Sequence, residues 1–235
     1  MAAEQSALLP SQRLRVAYLL TLAGGYLDAY TYFERGGVFA NAQTGNIVKL
    51  GIALAHGERD SFLLFLLPIG AFALGLLSAL AVQDLLEARG SRLKRRSVLA
   101  LEIVGLVVVS LIPLQEQYNT LANCIVSYVA ALQYETFSTF HGYAIVTTMS
   151  TGNLRKFIDA LYAGVVLRDS AKLRQALVFL SIIGTFTLGA FFGALGTDLW
   201  DRAAVLPAIV CLALAIVVIT VLRRRNLRAG EYSRV

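Results

Sequence analysis

Two carboxylates stand inside apolar sequence. Asp28 lies in the run 14–33 and Glu135 in the run 119–140. An ionisable side chain in such a run is costly to bury, so its default reading is functional: cation binding or proton carriage. The competing reading is an interfacial carboxylate tied to a neighbouring lysine or arginine. Each acid is followed by the same punctuation, GGVFANAQTGN over 36–46 and GYAIVTTMSTGN over 142–153. Thr44 and Thr151 suit helix N-caps, and Gly45 and Gly152 would let another group approach the backbone closely. A helix starting there would aim free N–H groups and a partial positive charge at whatever lies before it. Asn41, Gln43, Asn46, Thr147, Thr148, Ser150 and Asn153 add uncharged hydrogen-bonding groups. With Asp28, Thr44, Gly45, Glu135, Thr151 and Gly152, all of these except Ser150 form the candidate solute- or ion-binding set.

Other chemistry is sparse. Glu102 sits in a third apolar run, with Ile209 at the corresponding later position. Lys49 and Lys156 each follow a motif threonine by five residues and are expected to snorkel to an interface. His56 and His141 are expected near opposite surfaces. Cys124 and Cys211 fall in apolar segments as packing thiols. No phosphate-cradling glycine loop, HExxH or nucleophile paired with a base is visible, so no enzyme, metal site or cofactor is expected.

The elements that must position these residues follow from composition. Of 235 residues 57% are hydrophobic and 15% charged, too little polar surface for a soluble domain. Six runs are long enough to cross a bilayer: 14–33, 62–86, 97–114, 119–140, 174–197 and 203–222. The N-terminal MAAEQSALLPSQRLR lacks an early positive cluster and is not expected to be a cleavable signal. The net charge of +6 gathers at helix ends, which points to topology rather than nucleic acid. One side collects Arg13, Arg15, Arg89, Arg92, Lys94, Arg95, Arg96, Arg155, Lys156, Arg168, Lys172, Arg174 and the tail arginines. The other holds Arg35, Lys49, Arg59 and Arg202. Both termini are therefore expected in the cytoplasm. The stretches 44–56 and 151–164 are too short to cross, at roughly 20 Å of helix, and are expected as half-helices or re-entrant segments.

Thr44 and Thr151 are 107 positions apart, and that offset pairs Asp28 with Glu135, Phe33 with Phe140, Lys49 with Lys156 and Gly57 with Gly164. After a seven-residue shift Gly70, Gly75 and Asp84 meet Gly184, Gly189 and Asp198. The expected architecture is all-α: one transmembrane domain over 1–235, built of two inverted three-helix repeats at about 14–114 and 119–222. Such repeats place solute sites at their interface near mid-membrane. Small residues at Ala71, Gly75 and Ala79, and at Thr185, Gly189 and Gly193, predict close helix packing, either between repeats or in a homodimer. The functional expectation is a small-solute transporter, proton- or cation-coupled through Asp28, with Glu135 as a second coupling candidate, and with the Thr-Gly-Asn turns binding solute. The alternatives are a passive channel for a neutral or anionic solute and a non-transporting membrane scaffold.

The motif GGVFxxxxTGN, followed by V-x-L-G and later by TTxxTG, resembles the bacterial YoaK-type family of polytopic membrane proteins, a domain of unknown function. The resemblance covers nearly the whole chain. Asp28, Gly37, Phe39, Thr44, Gly45 and Asn46 match its first motif, and Gln133, Thr147, Thr148, Thr151 and Gly152 its second. It implies a bacterial inner-membrane protein and adds Gln133 to the candidate set. The chain departs from the family pattern at Tyr134 and Glu135, which leaves Asp28 as the carboxylate the resemblance supports.

Overall fold

The computed structural model describes residues 9–90 and 95–228. Arg92 and Lys94 of the basic-residue count, the first eight residues and residues 229–235 lie outside it, as do the side chains of Arg202 and Arg228. Among the described residues the chain forms eight α-helices: α1 (Leu14–Glu34), α2 (Gln43–His56), α3 (Arg59–Ala88), α4 (Arg95–Leu111), α5 (Glu116–Thr136), α6 (Thr151–Val165), α7 (Ser170–Trp200) and α8 (Leu206–Arg228). Short 3₁₀ turns precede α1 (Pro10–Gln12) and α8 (Asp201–Val205).

Six of these helices occupy the six long apolar runs, and α2 and α6 occupy the two short ones. Among the described residues three segments are long and apolar enough to cross a membrane by length and composition: α3, α7 and Ala203–Leu227, which contains most of α8. The boundaries move where local chemistry intervenes. α4 stops at Leu111 because Pro113 disfavours helical backbone in the residue before it. α5 ends at Thr136 rather than near 140: Phe137 and Phe140 turn inward and stack with ring centroids 6.3 Å apart, and His141 and Gly142 are left-handed.

Burial is distributed by helix. α1 is enclosed along most of its length, and its near-continuous apolar sequence fits that placement. Buried side chains of α1, α4, α5, α7 and α8 form the main core. Large apolar side chains stand exposed on the outer helices, among them Leu74 and Leu77 on α3 and Leu188, Phe191 and Phe192 on α7. An aqueous surface does not tolerate so continuous an apolar exterior, whereas hydrocarbon does.

The most extensive helix pairings are α1 with α7 and α3 with α5. The small-residue ladders make both. A Cβ on Gly189 would collide with the carbonyl of Leu22, and one on Gly193 would lie 2.6 Å from the carbonyl of Tyr26. Gly25 answers from α1 against the carbonyl of Phe186. On the other pair, a Cβ on Gly75 would lie 2.5 Å from the carbonyl of Tyr128. Backbones approach this closely only where side chains are absent. Gly75, Gly189 and Gly193 thus act within the chain. Thr185 instead turns its hydroxyl back onto the Ser181 carbonyl.

Arg35 corrects the surface assignment of the basic residues. Its side chain is 0% exposed, and its guanidinium donates to the carbonyls of Val109, Ile112 and Pro113 at 3.3, 3.0 and 2.8 Å and to the Tyr30 hydroxyl at 3.1 Å. Those carbonyls lie in and just past the last turn of α4, where a cation is favoured; the Val109 carbonyl also accepts from the Ile112 N–H at 3.1 Å. The Arg35 carbonyl in turn accepts from Asn123 on α5 at 2.8 Å. Arg35 therefore pins three helices together rather than reporting sidedness.

Candidate functional site

The two Thr-Gly-Asn segments fold alike. Gly36 and Gly37 take left-handed backbone, φ +80° and +75°, which turns the chain sharply off the end of α1 and back toward its middle. The asparagine of each motif then clamps the returning loop. Asn46 accepts from the Phe39 N–H at 3.0 Å and donates to the Phe39 carbonyl at 2.8 Å. Asn153 does the same to Val146, at 3.1 and 2.6 Å. Both side chains are fully buried, so each amide completes the hydrogen bonding of an irregular backbone that has no other partner there. Lys49 and Lys156 add a second tie, donating to the carbonyls of Gly37 and Ala144. Asn46 and Asn153 thus spend their side-chain amides on the loops that precede them, and each lysine ammonium is tied to a loop carbonyl.

The N-cap assignments also shift. α2 starts at Gln43 with Ala42 as its N-cap, and α6 starts at Thr151 with Ser150 as its N-cap. Neither cap residue makes a side-chain capping bond. Thr44 and Thr151 lie in the first turns, with their surfaces exposed.

Asp28 sits at the junction of α1 with the first loop and is 5% exposed. Its Oδ1 accepts the Asn41 N–H at 2.9 Å, just ahead of the start of α2, so the carboxylate lies where a helix N-terminus favours negative charge. Asn41 donates onward to the Gly24 carbonyl at 2.8 Å. Gly24 is also where the second loop arrives: a Cβ there would lie 2.5 Å from the Thr147 carbonyl. Both loops therefore converge on one turn of α1. Gln133 on α5 donates to the Thr147 hydroxyl at 3.1 Å. Gln43 donates to the Ala40 carbonyl at 2.7 Å and reaches the Ser127 hydroxyl on α5 at 3.4 Å.

A cleft of about 620 Å³ opens at this convergence. Asp28, Ala29, Tyr32 and Phe33 form its α1 wall, and Phe186 and Ala190 its α7 wall. The first segment contributes Phe39, Ala42, Thr44 and Gly45; the second contributes Met149, Ser150 and Thr151. The first turns of α2 and α6 thus open onto one space with the buried carboxylate between them. No lysine or arginine belongs to the lining, and the ion pair formed among the described residues, Arg155 with Asp159 at 3.8 Å, is exposed and elsewhere. Behind the cleft the buried acceptor atoms Asn41 Oδ1, Gln133 Oε1 and Thr148 Oγ1 have no protein partner, and neither does the Ser150 hydroxyl on its wall.

Among the predicted residues, Asp28, Thr44, Gly45 and Thr151 come together in the lining. Asn41, Gln43, Thr147, Thr148 and Gln133 support it from behind. Glu135 and Gly152 take no part in the lining, and Glu135, although at the position equivalent to Asp28, receives no loop N–H comparable to that of Asn41. Glu102 is buried, its Oε2 without a partner, and lies outside the cleft. Sequence reasoning passed over the aromatic wall. Tyr32 was accessible to it, one helical turn beyond Asp28, whereas Phe186 reaches the cleft only because α7 packs on α1.

A family profile described as "Protein of unknown function (DUF1275)" matches residues 16–218, from near the start of α1 into α8. No curated protein and no solved structure matches the chain.

Proposed function

The chain belongs to this DUF1275 family, whose motif pattern the sequence resembles, and on that footing we propose that it is a multi-pass membrane transporter for small solutes with its binding site in the Asp28 cleft. The observation that carries the reading is the meeting of two chain-distant Thr-Gly-Asn helix starts around one buried carboxylate. Irregular backbone at membrane depth is tolerated where it is buried in protein or lines a water-filled cavity, and these loops satisfy that condition with asparagine and lysine clamps. Buried acceptors without protein partners beside the cleft supply sites for water or solute.

In this reading all six long helices cross the membrane as two inverted repeats, and α2 and α6 are re-entrant half-helices. Their like clamps, 107 positions apart, support the repeat. The crossed pairing of α1 with α7 and α3 with α5 supports it too, since each joins the first long helix of one repeat to the second of the other. Both termini then face the cytoplasm of a bacterial inner membrane. A carrier is favoured over an open channel because the wall behind the cleft is closed by Asn41, Thr147 and Gln133, each about 1% exposed. Asp28 couples solute movement to a proton or cation.

The test is uptake by proteoliposomes of a panel spanning small cationic, neutral and anionic solutes. The reading predicts that at least one accumulates above protein-free liposomes, and that Asp28→Asn lowers its uptake at least tenfold. Asparagine keeps the oxygen that accepts the Asn41 N–H, so the variant preserves the loop. A panel in which nothing exceeds the protein-free control, or undiminished uptake by Asp28→Asn, would overturn the assignment.

A further inference from the structure

Resting on the reading of the cleft as a solute site, we infer that the solute it takes is a compact organic cation, an ammonium group carrying an apolar body. The charge requirement comes from Asp28. Its carboxylate is 5% exposed, lines the cleft, and has no basic residue beside it in the lining. A neutral ligand would leave that charge unpaired in a mostly apolar enclosure, and an anion would add repulsion to desolvation. A cation pairs the carboxylate directly, in place of the proton that otherwise neutralises a buried acid.

The apolar body follows from the rest of the wall. Tyr32, Phe39 and Phe186 present aromatic surface, and Met149, Ala29 and Ala190 fill between. A bare metal ion of the hard class needs about six oxygen ligands, and beyond Asp28 the lining side chains offer only hydroxyls. Aromatic faces attract ammonium and methylammonium groups. Tyr32 and Phe39 stack on each other at 5.0 Å and already carry the Lys49 ammonium, 4.7 and 5.0 Å from their centroids. That shows the attraction at work and leaves Phe186 as the wall ring for the ligand's ammonium. Tethered to the Gly37 carbonyl, Lys49 forms no ion pair with Asp28, which leaves the carboxylate for the ligand. The cleft volume of about 620 Å³ is that of a site for a small organic molecule.

Calorimetry on the purified full-length protein in detergent tests this with three probes of similar size: benzyltrimethylammonium, neutral N,N-dimethylbenzamide and anionic phenylacetate. The ammonium should bind at least tenfold more tightly than either other probe. Asp28→Asn should remove that preference, Phe186→Leu should weaken ammonium binding several-fold, and Glu135→Gln, outside the cleft, should leave it unchanged. Phe186→Leu keeps the wall apolar, so a folding defect in one variant does not decide the outcome. Equal binding of ammonium and amide, tighter binding of phenylacetate, or a preference that survives Asp28→Asn would overturn the cation assignment. If the amide or phenylacetate wins and Thr151→Trp abolishes its binding, the cleft stands as a solute site while the cation class falls. If no probe binds and the uptake panel is also silent, both fall.

Discussion

Asn46 and Asn153 show how far a motif can be read before folding is known. Their repetition was visible in the sequence, and so was their placement beside a glycine and a hydroxyl. What they contact was not, because Phe39 and Val146 come into reach only after the chain has doubled back. The buried amides hold backbone rather than solute. Replacing either by alanine removes three hydrogen bonds, two of them to the backbone of Phe39 or Val146, and strands a part-buried N–H and C=O, a loss of about 2–4 kcal/mol. Denaturation of Asn46→Ala and Asn153→Ala should show similar losses, and a fall of less than about 0.5 kcal/mol in either would contradict the clamp. Arg35 makes the complementary case. By sequence it counts among the basic residues of one membrane side, yet it caps the end of α4 in the interior. Arg35→Met should cost about 3 kcal/mol, since the charged hydrogen bonds to the Val109, Ile112 and Pro113 carbonyls are lost together.

At the scale of elements, length and hydropathy located all eight helices, including the two too short to cross a bilayer. The N-cap positions were displaced because Thr44 and Thr151 are favourable caps only if the loop leaves them at the helix boundary. The clamps on Phe39 and Val146 put them inside the first turn instead. Glycines separate by what faces them. Gly25 abuts the Phe186 carbonyl, so Gly25→Ala must force α1 from α7 and should cost about 1–3 kcal/mol. Gly152 has nothing within 4 Å of an added Cβ, so Gly152→Ala should be neutral or stabilising by up to about 1 kcal/mol. Thermal unfolding in detergent distinguishes the two directly, and equal behaviour would contradict the glycine-mediated contact. The motif glycines look equivalent in sequence, but a Cβ added to Gly45 would lie 2.8 Å from the Phe39 ring, whereas one added to Gly152 would meet nothing within 4 Å.

For the whole molecule, the cleft exists because two segments 107 positions apart return to the same turn of α1. Asp28, Gly45, Thr44 and Thr151 were legible as candidates from type and spacing. The aromatic wall from Phe186 was not, since only the α1–α7 packing brings it there. Glu135 shows the limit of symmetry: its position repeats that of Asp28, but the loop that would hold it makes no matching bond. The most direct test of the shared cleft is thiol modification across a sealed bilayer. With Cys124 and Cys211 replaced by alanine, Thr44→Cys and Thr151→Cys are each reconstituted and treated on one side at a time with a membrane-impermeant methanethiosulfonate. A single solvated cleft predicts that both thiols react from the same side, more than tenfold faster than from the other. Reaction from opposite sides, or from neither, would contradict it.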